Sequence, residues 1–233
     1  MSWSATEIAR IVALGAPILC LDTCSVLDVM RDPTRESVRA HDAQAAVDLL
    51  LAAETKTKLI ALWADQANFE FQDNFQSVED EATRGVKKLQ EQVKRVDAVA
   101  AVFGATGSAS THHLANHVTR ARAVVDRWVH AVAAVPQGVH VASRALARVN
   151  RAITPARKGK DSAKDCVVIE TYLEAVSALR AAGATMPIVF ASSNVNDYCD
   201  AARVLKFDIA QEFAALNLEF APNLGAAKHL LGI

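Results

Sequence analysis

Ile18-Leu19-Cys20-Leu21-Asp22-Thr23, residues 18–23, is four apolar residues closed by an acid and a hydroxyl. With no polar position to face water, the run reads as a short strand covered on both sides and ending at Asp22. Two further runs have the same character: Lys58–Trp63 (KLIALW) and Pro187–Ala191 (PIVFA). Shorter strands are expected at Val139–Ala142 and Leu218–Phe220.

Helical patterns fill the intervals. Ser4 and Glu7 have capping-box spacing ahead of an apolar run that Gly15 and Pro17 stop. Thr23 to Met30 turns helical, His41 to Glu54 is an Ala/Leu-rich helix, and a helix from Ala64 carries Glu70. Residues 78–135 are charged and helical, broken at Gly104–Ser110, which predicts a helical hairpin inserted in a single domain spanning 1–233. Arg144 to Lys164 reads as a basic, loop-like stretch. Asp165 then heads an apolar helix closed by Gly183, and a last helix covers about 201–216. Apolar strands alternating with helices predict an α/β fold: a central parallel sheet with helices on both faces, a three-layer α/β/α sandwich.

Composition sets the class. The 233 residues are 52% hydrophobic and 22% charged, enough to build a core. A net charge of −1 disfavours bulk binding to nucleic acid but leaves room for a local basic patch. Cys20, Cys24, Cys166 and Cys199 form no CxxC or zinc-ribbon spacing, so reduced thiols and a cytoplasmic location are expected. The N-terminal stretch has early Glu7 and no long apolar segment, so no signal peptide and no membrane association are expected.

In a right-handed parallel sheet the carboxyl ends of the strands share one edge, where ligands bind. Asp22 follows its strand directly, and Asp197 lies past the polar turn Ser192–Asn196 after the Pro187 strand. Glu70 is about two turns into the helix after the second strand, with Asp65 and Asp73 as neighbouring alternatives. Asp165 starts the helix before the Pro187 strand, with Asp161 able to replace or assist it. Carboxylates gathered at one edge repel one another unless a cation lies between them, and Mg²⁺ or Mn²⁺ suits such oxygen donors. Each acid also has a plainer reading: Asp22 and Asp165 as helix N-caps, Glu70 on a solvated face, and 192–197 as an ordinary turn.

These residues carry a resemblance. Ile18–Thr23 is similar to the opening motif of PIN-domain nucleases, with Cys24 where Asn is common. Val189-Phe190-Ala191-Ser192-Ser193-Asn194-Val195-Asn196-Asp197-Tyr198 resembles their late motif, a strand followed by Thr/Ser-x-Asn-x-x-Asp-Phe/Tyr. Glu70 and Asp165 resemble the second and third acids, and the chain looks like one of the larger bacterial PIN-like groups. The resemblance implies a PIN-like fold and a metal-dependent endoribonuclease in which Asp22, Glu70, Asp165 and Asp197 are the catalytic, metal-holding acids. Thr23, Ser192, Asn194 and Asp161 would support them. It implies an RNA substrate, with DNA left open, and it admits an antitoxin partner, a homodimer, or a non-catalytic binding module.

The basic run 144–164 abuts the third acid, and Arg157, Lys158, Lys160 and Lys164 are expected to bind nucleic acid there. His112, His113 and His117 lack the glutamate of an HExxH site and read as an exposed cluster. Trp63, Phe69 and Phe71 read as core. A phosphatase with two aspartates in DxD spacing is disfavoured by Cys24.

Overall fold

A computed structural model describes residues 3–159 and 161–233. Helix α1 (Ala5–Leu14) starts on Ser4, whose Oγ accepts the Glu7 N–H, and ends where Gly15 takes a left-handed φ of 64°. Strand β1 (Ile18–Leu21) leads into α2 (Thr23–Leu27) and a single 3-10 turn at Asp28–Met30. Then come α3 (Ala40–Glu54), β2 (Ile60–Ala64) and the 38-residue α4 (Asp65–Val102). The chain returns through α5 (His117–Ala131) to β3 (Ala133–Val135), then α6 (Val141–Arg151) and α7 (Ala163–Ala181). It closes with β4 (Ile188–Ala191), α8 (Val195–Tyr198), α9 (Phe207–Leu216), β5 (Leu218–Ala221) and α10 (Leu224–Leu231).

The five strands form one parallel sheet in the order β3-β2-β1-β4-β5. β1 lies at the centre, with Leu21 level with Trp63 on one side and Ala191 on the other. Every residue of β1, β2 and β4 is buried, as expected for strands with helices on both faces. α3 and α10 pack together, and α10 lies on β1, β4 and β5; α7 lies on β2 and β3 and meets α9. The fold is a three-layer PIN-like α/β/α sandwich. α7 buries residues around much of its girth, including Ile169, Tyr172 and Val176, because it sits between the sheet and α6.

The register brings the ends of β1, β2 and β4 together, and Tyr172 ties two of them. Its buried hydroxyl donates to the Leu21 carbonyl at 2.6 Å and accepts the Ala64 N–H at 3.0 Å. The ends of β1 and β2 are thereby held at one spacing from below.

Four local readings need correction. The third strand is Ala133–Val135, not Val139–Ala142. It is decided by pairing with Leu62–Ala64, whereas Val141 opens a helix. The stretch from Arg144 is helical as far as Arg151, because Val141, Ala145 and Arg148 pack one face of α6 inward. The final helix starts at Phe207, after a turn in which Cys199 and Leu205 bridge, and α10 follows the last strand. Phe69 is 63% exposed while Trp63 and Phe71 are buried in edge contact, because two residues along a helix turn to opposite sides. The four cysteines are free thiols. Among the described residues, no helix is long and apolar enough to cross a membrane.

Beyond Val86, α4 buries none of its described residues, and Val96, Val99, Val102 and Phe103 are exposed near its end. The part of α4 that meets the core is held by Arg122 of α5, which pairs with Glu79 at 2.6 Å and lies over the Phe75 ring.

Candidate active site at the carboxyl edge of the sheet

Asp22 is the first residue after β1 and the N-cap of α2, so one carboxylate serves both the sheet edge and the helix start. Its Oδ1 accepts the Thr23 N–H at 2.8 Å. Its Oδ2 accepts the Ser192 hydroxyl at 2.6 Å and the Cys24 thiol at 3.2 Å. Only 6% of Asp22 is exposed. Burial pushes its carboxyl above the usual range, against the hydrogen bonds from Ser192, Cys24 and Thr23, and the charge of Asp197 pushes it further.

Cys24, which departs from the common Asn of the opening motif, supplies the donor that an amide would. Burial and the Asp22 charge raise its thiol well above the usual value, so it stays protonated and able to donate.

Ser192 follows β4 and is fully buried; its N–H bonds to the Ala221 carbonyl of β5 and its hydroxyl reaches Asp22. The polar turn is thus tied to both neighbouring strands. The Asn194 N–H bonds back to Ser192 Oγ at 3.3 Å, and the Asn194 amide donates to Asp197 Oδ2. Asp197, 2% exposed, also faces Arg157, with Nη2 3.3 Å from Oδ1, and its carbonyl accepts Lys206 Nζ at 2.6 Å.

Glu70 is half-buried on α4. Its Oε1 accepts from Gln66 at 3.3 Å and its Oε2 lies 3.4 Å from Thr23 Oγ1, which donates to the Ala67 carbonyl at 2.9 Å. Burial raises the Glu70 carboxyl and the Asp22 charge adds to it, while Gln66, Lys164 and Thr23 lower it. Asp165 sits in the first turn of α7, one turn inside the Ser162 cap, and Asp161 lies outside the helix, accepting the Ala163 N–H at 3.3 Å. Burial raises the Tyr198 hydroxyl well above its usual value, and the charges of Asp22, Asp165, Cys24 and Asp197 add to it.

The charge of Asp197 bears on Asp22 and that of Asp22 on Glu70. Among the described residues, no three His, Cys, Asp or Glu side chains stand close enough to hold one metal ion. The carboxylates are instead turned onto donors of their own: Asp22 onto Ser192 and Cys24, Asp197 onto Asn194 and Arg157. Asp22 and Glu70, both raised by burial, carry the oxygen donors that Mg²⁺ and Mn²⁺ accept, the kind of ion that PIN domains typically use.

The basic run behaves differently from its sequence reading. Arg148 is 3% exposed and its guanidinium is shared by Glu170 and Glu212, while Arg144 pairs with Glu170 and Glu174, so these two build the α6–α7 contact. Of the four residues expected to bind nucleic acid, Arg157 faces Asp197, Lys164 lies 3.6 Å from Asp73, and Lys158 is exposed. Lys160 lies outside the described residues.

Two features escaped the sequence reading. Tyr172 carried no local signal, being one aromatic in an apolar helix. A cleft of about 600 Å³ opens beside the acids, walled by Cys24, Ser193 and Asn194 on one side and by the 31–39 loop on the other. The fourfold spacing of Arg31, Arg35 and Arg39 was its only trace in the sequence.

No curated protein and no solved structure matches the chain. A family model described as PIN domain matches residues 19–198, from within β1 to the end of the late motif. That span includes all four acids and the strands that carry them, and the chain belongs to the PIN-domain family.

Proposed function

We propose that this protein is a metal-dependent nuclease that hydrolyses phosphodiester bonds, with RNA as its substrate. PIN domains are in general nucleases, and the observation that carries the reading is Asp22. It is a carboxylate buried at the end of the central strand, raised by burial and by the Asp197 charge, and hydrogen-bonded from three sides. An N-cap needs one oxygen on a backbone N–H, which Oδ1 supplies, whereas the second oxygen of Asp22 is held separately by Ser192 and Cys24.

Asp22, Glu70, Asp165 and Asp197 would hold Mg²⁺ or Mn²⁺. Such an ion supplies positive charge to the phosphoryl oxygens and lowers the pKa of an attacking water. The residues of the chain do the rest. Ser192 and Cys24 orient Asp22, and Thr23 lies between Asp22 and Glu70. Asn194 and Arg157 hold Asp197, and the Arg157 guanidinium lies where a phosphate approaching that acid would meet it.

The test is cleavage of a labelled RNA by wild type, Asp22→Asn and Asp197→Asn, each with Mn²⁺ and with EDTA. Cleavage by wild type with Mn²⁺ alone, reduced at least a hundredfold in both variants, is expected. Equal cleavage in all three, or none in any, would remove the nuclease reading. A binding module is the second reading. It is favoured by the engagement of Asp197 with Arg157 and by the lack of a converged group of three ligands among the described residues. RNA binding without cleavage would select it. If the protein is the toxin of a toxin–antitoxin pair, its expression should arrest growth until a partner relieves it.

A further inference from the structure

Strand β5 is the last of the sheet and pairs only with β4, so its other edge is open. The Ala221 carbonyl turns inward to the Ser192 N–H, and alternation along the strand turns the peptide groups of Leu218 and Phe220 outward. Among the described residues, no hydrogen bond reaches those outward groups. A cavity of about 470 Å³ lies against this edge. Leu218, Glu219 and Phe220 all line it. Side chains of consecutive strand residues point to opposite faces, so the three can share a cavity only where it wraps around the edge. Apolar surface closes it: Phe213 and Leu218 are buried, with Val195 and Leu205 half-buried beside them.

The lining also carries one exposed charge of each sign, Arg203 and Glu219. Neither side chain has an ion pair or hydrogen bond among the described residues. The turn that carries Arg203 is fixed by Asp200, whose Oδ1 accepts the Ala202 and Val204 N–H groups at 2.9 and 3.0 Å. Within it Arg203 takes a left-handed φ of 62°, a conformation that glycine adopts at less cost. A guanidinium is thus held at the cavity on a backbone that would suit a residue without a side chain.

A free cation, a free anion, open peptide groups and an apolar cavity together match one kind of small molecule. We propose that the cavity at the β5 edge binds a free α-amino acid with an apolar side chain. Its carboxylate meets Arg203 and an edge N–H, its ammonium meets Glu219 and an edge carbonyl, and its side chain fills the cavity. A cavity of this volume is in the range of small-molecule sites. The open edge has two outward residues before Pro222, which has no N–H to continue it, so it is short for an added strand of about 5–6 residues. The proposal does not depend on the chemistry of the acid site.

The experiment is isothermal titration calorimetry of the full chain, in EDTA and without nucleic acid, using L-leucine, L-phenylalanine and L-serine. Leucine or phenylalanine should bind saturably with Kd below about 1 mM, and serine at least about tenfold more weakly. Two analogues of the tighter binder separate the contacts: the deamino acid, which lacks the ammonium, and the N-acetyl amide, which lacks both charges. Each should bind about tenfold more weakly or worse. Arg203→Gln and Glu219→Gln should each weaken the amino acid about tenfold, and Glu219→Gln should leave the deamino acid unaffected. Both residues are exposed, so thermal melts of both variants should match wild type. Arg203→Gly, which suits the left-handed backbone, is a second variant that keeps the fold and should also lose binding. No saturable binding of leucine or phenylalanine up to about 10 mM would overturn the proposal, as would unchanged affinity in the folded variants. An N-acetyl amide that binds as tightly as the free amino acid would also overturn it, and would make a peptide the occupant of the edge.

Discussion

Asp22 is held in a state that costs the folded chain stability. Its carboxyl is raised by burial and by Asp197, so the folded protein prefers it protonated. A group raised in this way contributes stability that is fully present below its unfolded value and is lost as pH rises through the folded one. Without metal, Asp22→Asn should therefore raise the thermal midpoint at neutral pH by a few degrees, and the gain should shrink as pH falls into the carboxylate range. Melts of both proteins in EDTA at pH 7.5 and pH 5 check this. A variant that is less stable by the same margin at both values would mean that Asp22 is an ordinary cap. Stabilisation by removing a site residue is the usual mark of a position kept for function.

Elements are held to one another by a few buried polar contacts whose loss can be measured. Tyr172 spans the ends of β1 and β2 from α7. Tyr172→Phe leaves the Ala64 N–H and the Leu21 carbonyl without that partner and should cost roughly 1–3 kcal/mol in urea denaturation. Arg148 joins α6 to α7 through Glu170 and to α9 through Glu212, and it also donates to the Thr154 carbonyl in the loop that carries Arg157. Arg148→Ala leaves the buried Glu170 carboxylate with Arg144 alone and should cost roughly 1–3 kcal/mol. A loss below 1 kcal/mol would show that solvent reaches the pair. The sequence shows that this stretch is basic but not that Arg148 faces inward, because its partners Glu170 and Glu212 are 22 and 64 residues away. Likewise, β3 is three residues long and only its pairing with β2 distinguishes it from the end of a helix.

At the scale of the molecule, the sheet and its two helical layers contain the core, and the end of α4 lies outside it. No described residue from 87 to 116 is buried. The 16 helical residues after Val86 extend roughly 24 Å at 1.5 Å per residue, with a return loop tied by the Ala109 N–H to Asp97 at 2.9 Å. Replacing 88–115 by a short Gly/Ser link should leave the thermal midpoint within about 3 °C of wild type, because little apolar area is lost from the core. A cooperative loss of folding would show that α5 depends on the projection for its position.

Sequence alone determined that three apolar runs are strands, that Asp22 closes one of them and that Asp197 follows another after a polar turn. It could do so because a strand buried on both faces must be apolar throughout and because parallel connections send every carboxyl end to one edge. Which charges meet was decided only by tertiary structure. Arg157 came to face Asp197, and Arg148 to face Glu170 and Glu212. Charged side chains carry no periodic signature of their partners, and attraction between them acts across space without regard to distance along the chain.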